Sequence, residues 1–307
     1  MSEPSINKAG IIKVSNSENP KTPYLHQAEA IKALDKKVNS KNIFKGLLVI
    51  PTGGGKTFTA MWWLLRNVID KDKKVLWIAH RHELLNQALT TLINNSYSNI
   101  LERKKEFKYR VISGVHDRTI NIEPDDDFII ASKDSINYGL EDLKKKWVYK
   151  NKNKIVLVID EAHHAVAKSY VKIIKEMEEI NKEYFKLIGL TATPFRTSEK
   201  EKGALKKIFE DDIIYSVDLK TLINRGILSE PIFVEKNTKI DMVNDLTNED
   251  IRKIQRLSKL PEDVATKIAQ NKVRNNIIVN HYVDHKAKYG KTLVFALNVQ
   301  HDIELNG

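Results

Sequence analysis

Residues 51–57 read Pro-Thr-Gly-Gly-Gly-Lys-Thr, directly after the apolar run Leu47-Leu48-Val49-Ile50 and directly before the helix-forming segment Phe58 to Trp63. Consecutive glycines let a backbone wrap closely around an anion, so that its N–H groups and the positive end of the following helix point at phosphate oxygens. Thr52, Gly53, Gly54 and Gly55 would form such a cradle. Lys56 would then reach the terminal phosphates of a nucleotide, and the Thr57 hydroxyl could hold Mg²⁺. The general pattern G-x-x-x-x-G-K-[ST] asks for glycine five residues before Gly55, where this chain has Ile50. The nucleotide reading therefore rests on the strand–turn–helix setting, and the competing reading is a Gly-rich surface turn followed by a chance Lys-Thr.

A second group of chemically able residues follows the run Ile155-Val156-Leu157-Val158-Ile159, which leads into Asp160-Glu161-Ala162-His163-His164. Two acids at the end of a buried strand are costly unless they face a cation or a reacting group. Asp160 is placed to hold the Mg²⁺ that bridges ATP phosphates, and Glu161 to position and deprotonate the attacking water. Lys56, Asp160 and Glu161 are thus the expected catalytic set, with Thr57 and Asp160 the metal-holding pair. Taken alone, the two acids have a lesser competing reading, as caps of the helix that follows. Residues 190–196 read Leu-Thr-Ala-Thr-Pro-Phe-Arg; Thr191 and Thr193 are short hydroxyls on a strand-end loop, able to reach His163 or the Mg²⁺ shell. The acidic run Glu123-Pro124-Asp125-Asp126-Asp127 precedes a strand and reads as a turn rather than a metal site.

These residues need a scaffold that brings strand ends together. Strands are expected at Gly46 to Ile50, Val75 to Ala79, Tyr109 to Ser113, Phe128 to Ala131, Ile155 to Ile159, Leu187 to Leu190 and Ile213 to Val217, with apolar spacings of three and four in many of the intervals. Strands that are apolar throughout and joined by helices predict an α/β fold with a mostly parallel sheet covered by helices on both faces. Ligands bind outside the carboxyl ends of such strands, where both motifs lie. The first 20 residues read as a loose tail, and residues 21–230 as the nucleotide-binding domain. In residues 231–307 the pattern turns polar and helical: Asp241 to Leu260 is charge-rich, Val264 to Tyr282 is amphipathic, and Lys291 to Ala296 reads as a new buried strand.

Composition narrows the partners. No apolar run reaches the about 20 residues that a membrane span needs, and the amino terminus lacks signal-peptide character. Cysteine is absent, which excludes disulfides and cysteine-ligated metals and fits a reducing, cytoplasmic setting. A net charge of +11 favours a polyanionic partner such as nucleic acid, while Lys runs such as Lys144-Lys145-Lys146 read equally well as solvated faces.

The phosphate loop, Asp160-Glu161-Ala162-His163 and Thr191-Ala192-Thr193-Pro194, in this order, resemble the superfamily 2 helicases and translocases of the DEAD/DEAH-box type. The variants Pro51 to Thr57, Ala79-His80-Arg81-His82-Glu83-Leu84-Leu85-Asn86-Gln87 and Thr191 to Arg196 resemble the branch that includes restriction-enzyme motor subunits and repair helicases, in which an aliphatic residue commonly stands at the position of Ile50. The resemblance spans roughly residues 22 to 230. It implies a RecA-like P-loop lobe that couples Mg²⁺-ATP hydrolysis to movement on nucleic acid, DNA more than RNA. It implies that Gln27, in Tyr24 to Ala30, reads the adenine edge. His80, Arg81, Ser113, Gly114, Ser132 and Lys133 would contact the nucleic-acid backbone, and His163 would couple the two sites through Thr191 and Thr193.

Such motors sandwich ATP between two lobes. Lys291 to Asp302 resembles only the first strand and helix of the second, with no segment that would supply an arginine finger. The expectation is that the 307-residue chain hydrolyses ATP poorly by itself. A longer motor in cis, or a partner subunit in trans, would complete the site. Two further readings stay open: a nucleotide-dependent nucleic-acid-binding module, and the motor subunit of a restriction or phage-defence complex.

Overall fold

A computed structural model of the chain describes residues 8–193, 199–211, 213–235, 247 and 262–306. It divides into two compact units, residues 1–230 and 231–307.

The first unit is built on an eight-stranded sheet. Its strands are β1 (Ala9–Lys13), β2 (Ile43–Val49), β3 (Lys74–Ala79), β4 (Glu106–Ile112), β5 (Phe128–Ser132), β6 (Ile155–Asp160), β7 (Phe185–Thr191) and β8 (Ile213–Ser216). Their spatial order is β1-β4-β5-β3-β6-β7-β2-β8. Every pairing is parallel except that of β1 with β4. The seven strands expected from apolar runs all form, with ends displaced by up to three residues.

The strands are apolar throughout because both faces are covered. Val75, Trp77, Val156 and Val158 belong to one buried cluster, while Leu76, Ile78, Leu157 and Ile159, one residue out of phase, belong to the other. Helices α1 (Leu25–Val38), α2 (Lys56–Asn67) and α3 (His82–Ile93) bring Leu34, Leu64 and Leu89 to the first cluster. Helices α4 (Lys133–Tyr138), α5 (Leu140–Leu143), α6 (Lys168–Ile180) and α7 (Glu199–Ile208) bring Ile136, Leu143, Ile173 and Leu205 to the second. Helix α8 (Leu219–Asn224) closes the unit, with Asp218 capping it through the Thr221 N–H.

Two expectations are corrected. Residues 9–13, expected in a loose tail, form edge strand β1, in which Ile12 is buried and Gly10 lies against the Tyr109 ring. A five-residue edge strand covered on one side carries too few apolar residues to stand out from its polar flanks. The run Lys291 to Ala296 is not a strand: Leu293, Val294 and Phe295 are exposed, and no strand pairs with it among the described residues. The acidic run at 123–127 is a turn, as expected. Asp126 binds the Arg110 guanidinium at 2.7 Å and Asp127 binds Lys74 at 3.0 Å.

The second unit contains α9 (Glu262–Ala269), α10 (Lys272–Tyr289) and α11 (Val299–Asn306). Asn271 caps α10 by accepting from the Arg274 N–H, and buried Asn275 donates to the Ala269 carbonyl at 2.7 Å and meets His301 Nε2 at 3.2 Å. The charge-rich stretch expected at 241–260 lies outside the described residues, Thr247 aside.

Packing at the sheet centre is tight around Gly189, which pairs with Leu47 on β2 and Ile159 on β6. A Cβ there would stand 2.6 Å from the Phe209 ring and 2.7 Å from Leu47. Gly189→Ala is expected to destabilise the chain by about 1–3 kcal/mol, the cost of overpacking a dense core. Urea unfolding of the variant measures this, and a midpoint equal to wild type would contradict the packing described.

Candidate nucleotide site and the adjoining cleft

Parallel order puts β2 and β6 on either side of β7, so their carboxyl ends open onto one edge of the sheet. The phosphate loop leaves β2 there, tied to β7 by the Ile50 N–H donating to the Thr191 carbonyl at 3.1 Å. Gly53 and Gly55 hold φ of 84° and 82°, left-handed values that side-chain-bearing residues resist. Gly54 is needed for space, because a Cβ would come within 2.6 Å of Ile50 and 2.8 Å of Leu222. With Gly55 as its N-cap, α2 starts at Lys56, so its free N–H groups and positive dipole end face the loop.

The loop is fastened from α1. His26, fully buried, presents Nε2 to the Gly54 carbonyl at 2.7 Å, and Gln27 Nε2 donates to the same carbonyl at 3.1 Å. The Gln27 Oε1 accepts from the Tyr24 N–H at 2.9 Å. The amide expected to read adenine is thus engaged in this arrangement with the loop and with the start of α1. His26 was not singled out in the sequence, where it is one polar residue in an amphipathic helix.

Lys56 and Glu161 form an ion pair of 2.8 Å, both side chains largely shielded from water. The other Glu161 oxygen lies 3.3 Å from His163 Nδ1, and the same nitrogen stands 3.4 Å from Thr191 Oγ1. Thr191 in turn donates to the Thr193 carbonyl and accepts from the Thr193 N–H at 2.9 and 3.1 Å. Glu161 itself has φ 52°, a left-handed value at the turn that ends β6. Asp160 is 1% exposed and accepts from the Glu161 N–H at 3.0 Å. Burial pushes its carboxyl up to about 6, with Lys56 pulling it down and Glu161 pushing it further up. A carboxylate so deprived of water offers hard oxygen donors of the kind Mg²⁺ prefers. The Pro194-Phe195-Arg196 part of the third motif lies outside the described residues.

The expected nucleic-acid contacts separate into two groups. His80, Ser113, Gly114 and Ser132 line one cleft of about 990 Å³ at the ends of β3, β4 and β5. Arg81 is exposed at the N-cap of α3, and Lys133 is held by Asp134 at 2.8 Å; neither lines the cleft. Ser113 and Ser132 are buried, one hydroxyl meeting His116 Nδ1 at 2.6 Å and the other capping α4 at Ser135. Gly114 has open space around it. The cleft also takes in Lys8, Arg118 and His116, which sequence reasoning missed: Lys8 arrives only because β1 pairs with β4, the Val111 N–H donating to its carbonyl at 2.7 Å. Histidine rings join the two regions. His164 sits 4.2 Å from His163 and 4.5 Å from His80 between ring centroids, and burial lowers the His80 pKa, with Arg81 adding to the effect.

A glycine cradle at a helix start, a lysine and two strand-end acids on a mostly parallel sheet define a P-loop nucleotide-binding domain. The family model described as "Type III restriction enzyme, res subunit" matches residues 20–196, more than half of the chain, and the protein belongs to that family. The chain is 28% identical over 264 residues to the "Putative ATP-dependent helicase IRC3" of Saccharomyces cerevisiae, covering 82% of this chain and 34% of the relative. It is 26% identical over 218 residues to the "ATP-dependent DNA helicase mph1" of Sclerotinia sclerotiorum, covering 67% of this chain and 16% of that one. The chain therefore spans about a third or less of the length of these curated relatives. Among solved structures, the Pyrococcus furiosus Hef helicase domain aligns at 20% identity and a TM-score of 0.49, over 90% of this chain and 57% of that chain.

The Asp160 environment has a measurable cost. Its folded-state carboxyl lies at about 6 against the ordinary 3.8, so between those values the folded chain holds a proton that the unfolded chain releases. The stability this gives is complete below the lower value and lost as pH rises through the upper one. In Mg²⁺-free buffer Asp160→Asn is expected to stabilise the chain by up to about 3 kcal/mol near neutral pH, with the gain fading on acidification. Denaturant titrations across the acid range test it; a gain independent of pH would show that the burial cost is not ionic.

Proposed function

We propose that this chain is the ATP-binding and ATP-hydrolysing lobe of a DNA helicase or translocase, with the adjoining cleft as its nucleic-acid track. The observation that carries the reading is the meeting of the phosphate loop with Asp160 and Glu161, sealed by the 2.8 Å Lys56–Glu161 pair. The family assignment supports it, as do relatives whose names carry "ATP-dependent helicase" and "ATP-dependent DNA helicase". No described helix is long and apolar enough to cross a membrane. A cytoplasmic setting is kept as part of the proposal, although a Schizosaccharomyces pombe relative is named "Putative mitochondrial ATP-dependent helicase irc3".

The chemistry follows from competition for Lys56. When triphosphate enters the loop, its anionic oxygens attract the Lys56 ammonium away from Glu161, while the Gly53 to Thr57 N–H groups hold the phosphates in line. Glu161 is then free to accept a proton from water attacking the γ-phosphorus, and the bond to the β–γ bridging oxygen breaks. His163, beside the second Glu161 oxygen, keeps the carboxylate aimed. Thr57 and Asp160 would hold Mg²⁺, which supplies charge neutralisation at the phosphates when bound. In this reading a second lobe or a partner subunit completes the far side of the nucleotide.

Two substitutions test the arrangement. Lys56→Ala should abolish ATP binding in calorimetric titration. Glu161→Gln should keep or tighten binding, since Lys56 no longer leaves an ion pair, while any turnover falls by about 10²–10⁴-fold. ATP binding indifferent to Lys56 would defeat the proposal.

A further inference from the structure

Tyr138, the last residue of α4, is 98% exposed and lines the cleft described above. Its backbone is fixed although its ring is free. The next residue, Gly139, donates to the Ser135 carbonyl at 3.0 Å and lies so close to the Thr119 side chain that any Cβ there would collide with it. Ile120, 51% exposed, and Val115, 66% exposed, line the same cleft and add apolar surface. A tyrosine kept for packing buries its ring. Here the fold anchors the main chain on both sides and leaves the whole ring in water at the wall of a cleft.

The charges around it suit a polyanion. Lys8 and Arg118 are exposed in the lining. The lining acids are engaged: Asp117 binds Arg110 at 2.7 Å, Asp134 binds Lys133 at 2.8 Å, and Asp142 accepts from the Thr119 hydroxyl at 3.3 Å. Cations beside an exposed aromatic ring are the pairing that single-stranded nucleic acid needs, phosphates on the one and a base face on the other.

We propose that Tyr138 is a base-stacking platform and that the cleft takes unpaired DNA, one base lying on the Tyr138 ring while the backbone passes Lys8, Arg118 and the open Gly114 turn. The inference rests on the nucleic-acid reading above and adds to it a residue and a substrate form. A paired base offers no free face to the ring, so the platform makes the cleft select single strands. Backbone contacts alone would not distinguish the two in this way.

The test is fluorescence anisotropy of the 307-residue chain with labelled oligo-dT and with a hairpin duplex, over a series of salt concentrations. Tyr138→Ala should weaken oligo-dT binding roughly 5- to 150-fold, the range that stacking one base on an aromatic ring supplies. It should leave hairpin binding unchanged and the salt slope unaltered, since no charge is removed. Tyr138→Phe should behave as wild type, and Arg118→Ala should flatten the salt slope for oligo-dT by about 0.7. Wild-type chain that binds oligo-dT with Tyr138→Ala equal to it overturns the platform and leaves the nucleic-acid reading standing. Equal losses on both ligands, with Tyr138→Phe also impaired, show a structural role and overturn it too. Wild-type chain that binds neither ligand removes the nucleic-acid reading and the platform together.

Discussion

A carboxylate shut away from water at the end of a strand is the constraint around which the first unit is arranged. Asp160 closes β6 with scarcely any exposure, and the favourable charge acting on it among the described residues is Lys56, which enters from another strand's loop. Bringing those two together requires β6 and β2 to be separated by one strand, β7, whose central Gly189 lets all three pack closely. It also requires Lys56 to begin a helix, and hence a loop whose glycines take left-handed angles just before it. Sheet order, loop composition and helix start thus converge on one electrostatic need, a cation brought close to a carboxylate that water does not reach.

How much of this could be read from the sequence follows from where its signals are local. The inner strands announce themselves because both faces are buried, so Val75 to Ala79 and Ile155 to Ile159 are apolar at every position. The phosphate loop and the Asp160–Glu161 pair carry their chemistry in adjacent residues. Edge strand β1 does not, since its register is set by β4, almost a hundred residues on. Lys291 to Ala296 shows the converse, an apolar β-rich hexamer that reads as a strand yet has no ladder to join among the described residues. Composition proposes a strand; only a neighbour makes one.

The site residues divide in the same way. Lys56, Asp160 and Glu161 meet as expected, whereas His26 acts by bonding the Gly54 carbonyl, a partner that no motif specifies. Lys8 reaches the cleft through β1 pairing, and Tyr138 stands out only once its exposure is known. Ser113 and Ser132 line the cleft as their positions suggest, yet each hydroxyl already has a partner inside the fold, His116 for one and the start of α4 for the other. Sequence shows which side chains are present, and tertiary hydrogen bonding decides which of their atoms remain available.

Bond lengths along the route from loop to cleft separate firm links from loose ones. The Lys56–Glu161 pair at 2.8 Å is short and shielded, and so is strongly held until another anion competes for the ammonium. His163 is different, being 3.3 Å from Glu161 and 3.4 Å from Thr191 and so bound tightly to neither. Beyond it His163, His164 and His80 follow one another ring against ring, with centroids 4.2 and 4.5 Å apart. On the proposed reading, loss of Lys56 to phosphate would leave the Glu161 carboxylate facing His163, the first of three rings that lead to the cleft wall at His80. On that reading one cation with two anionic partners, phosphate and Glu161, would be enough to connect the nucleotide loop with the cleft, because the connection needs a shared equilibrium and not a chain of bonds.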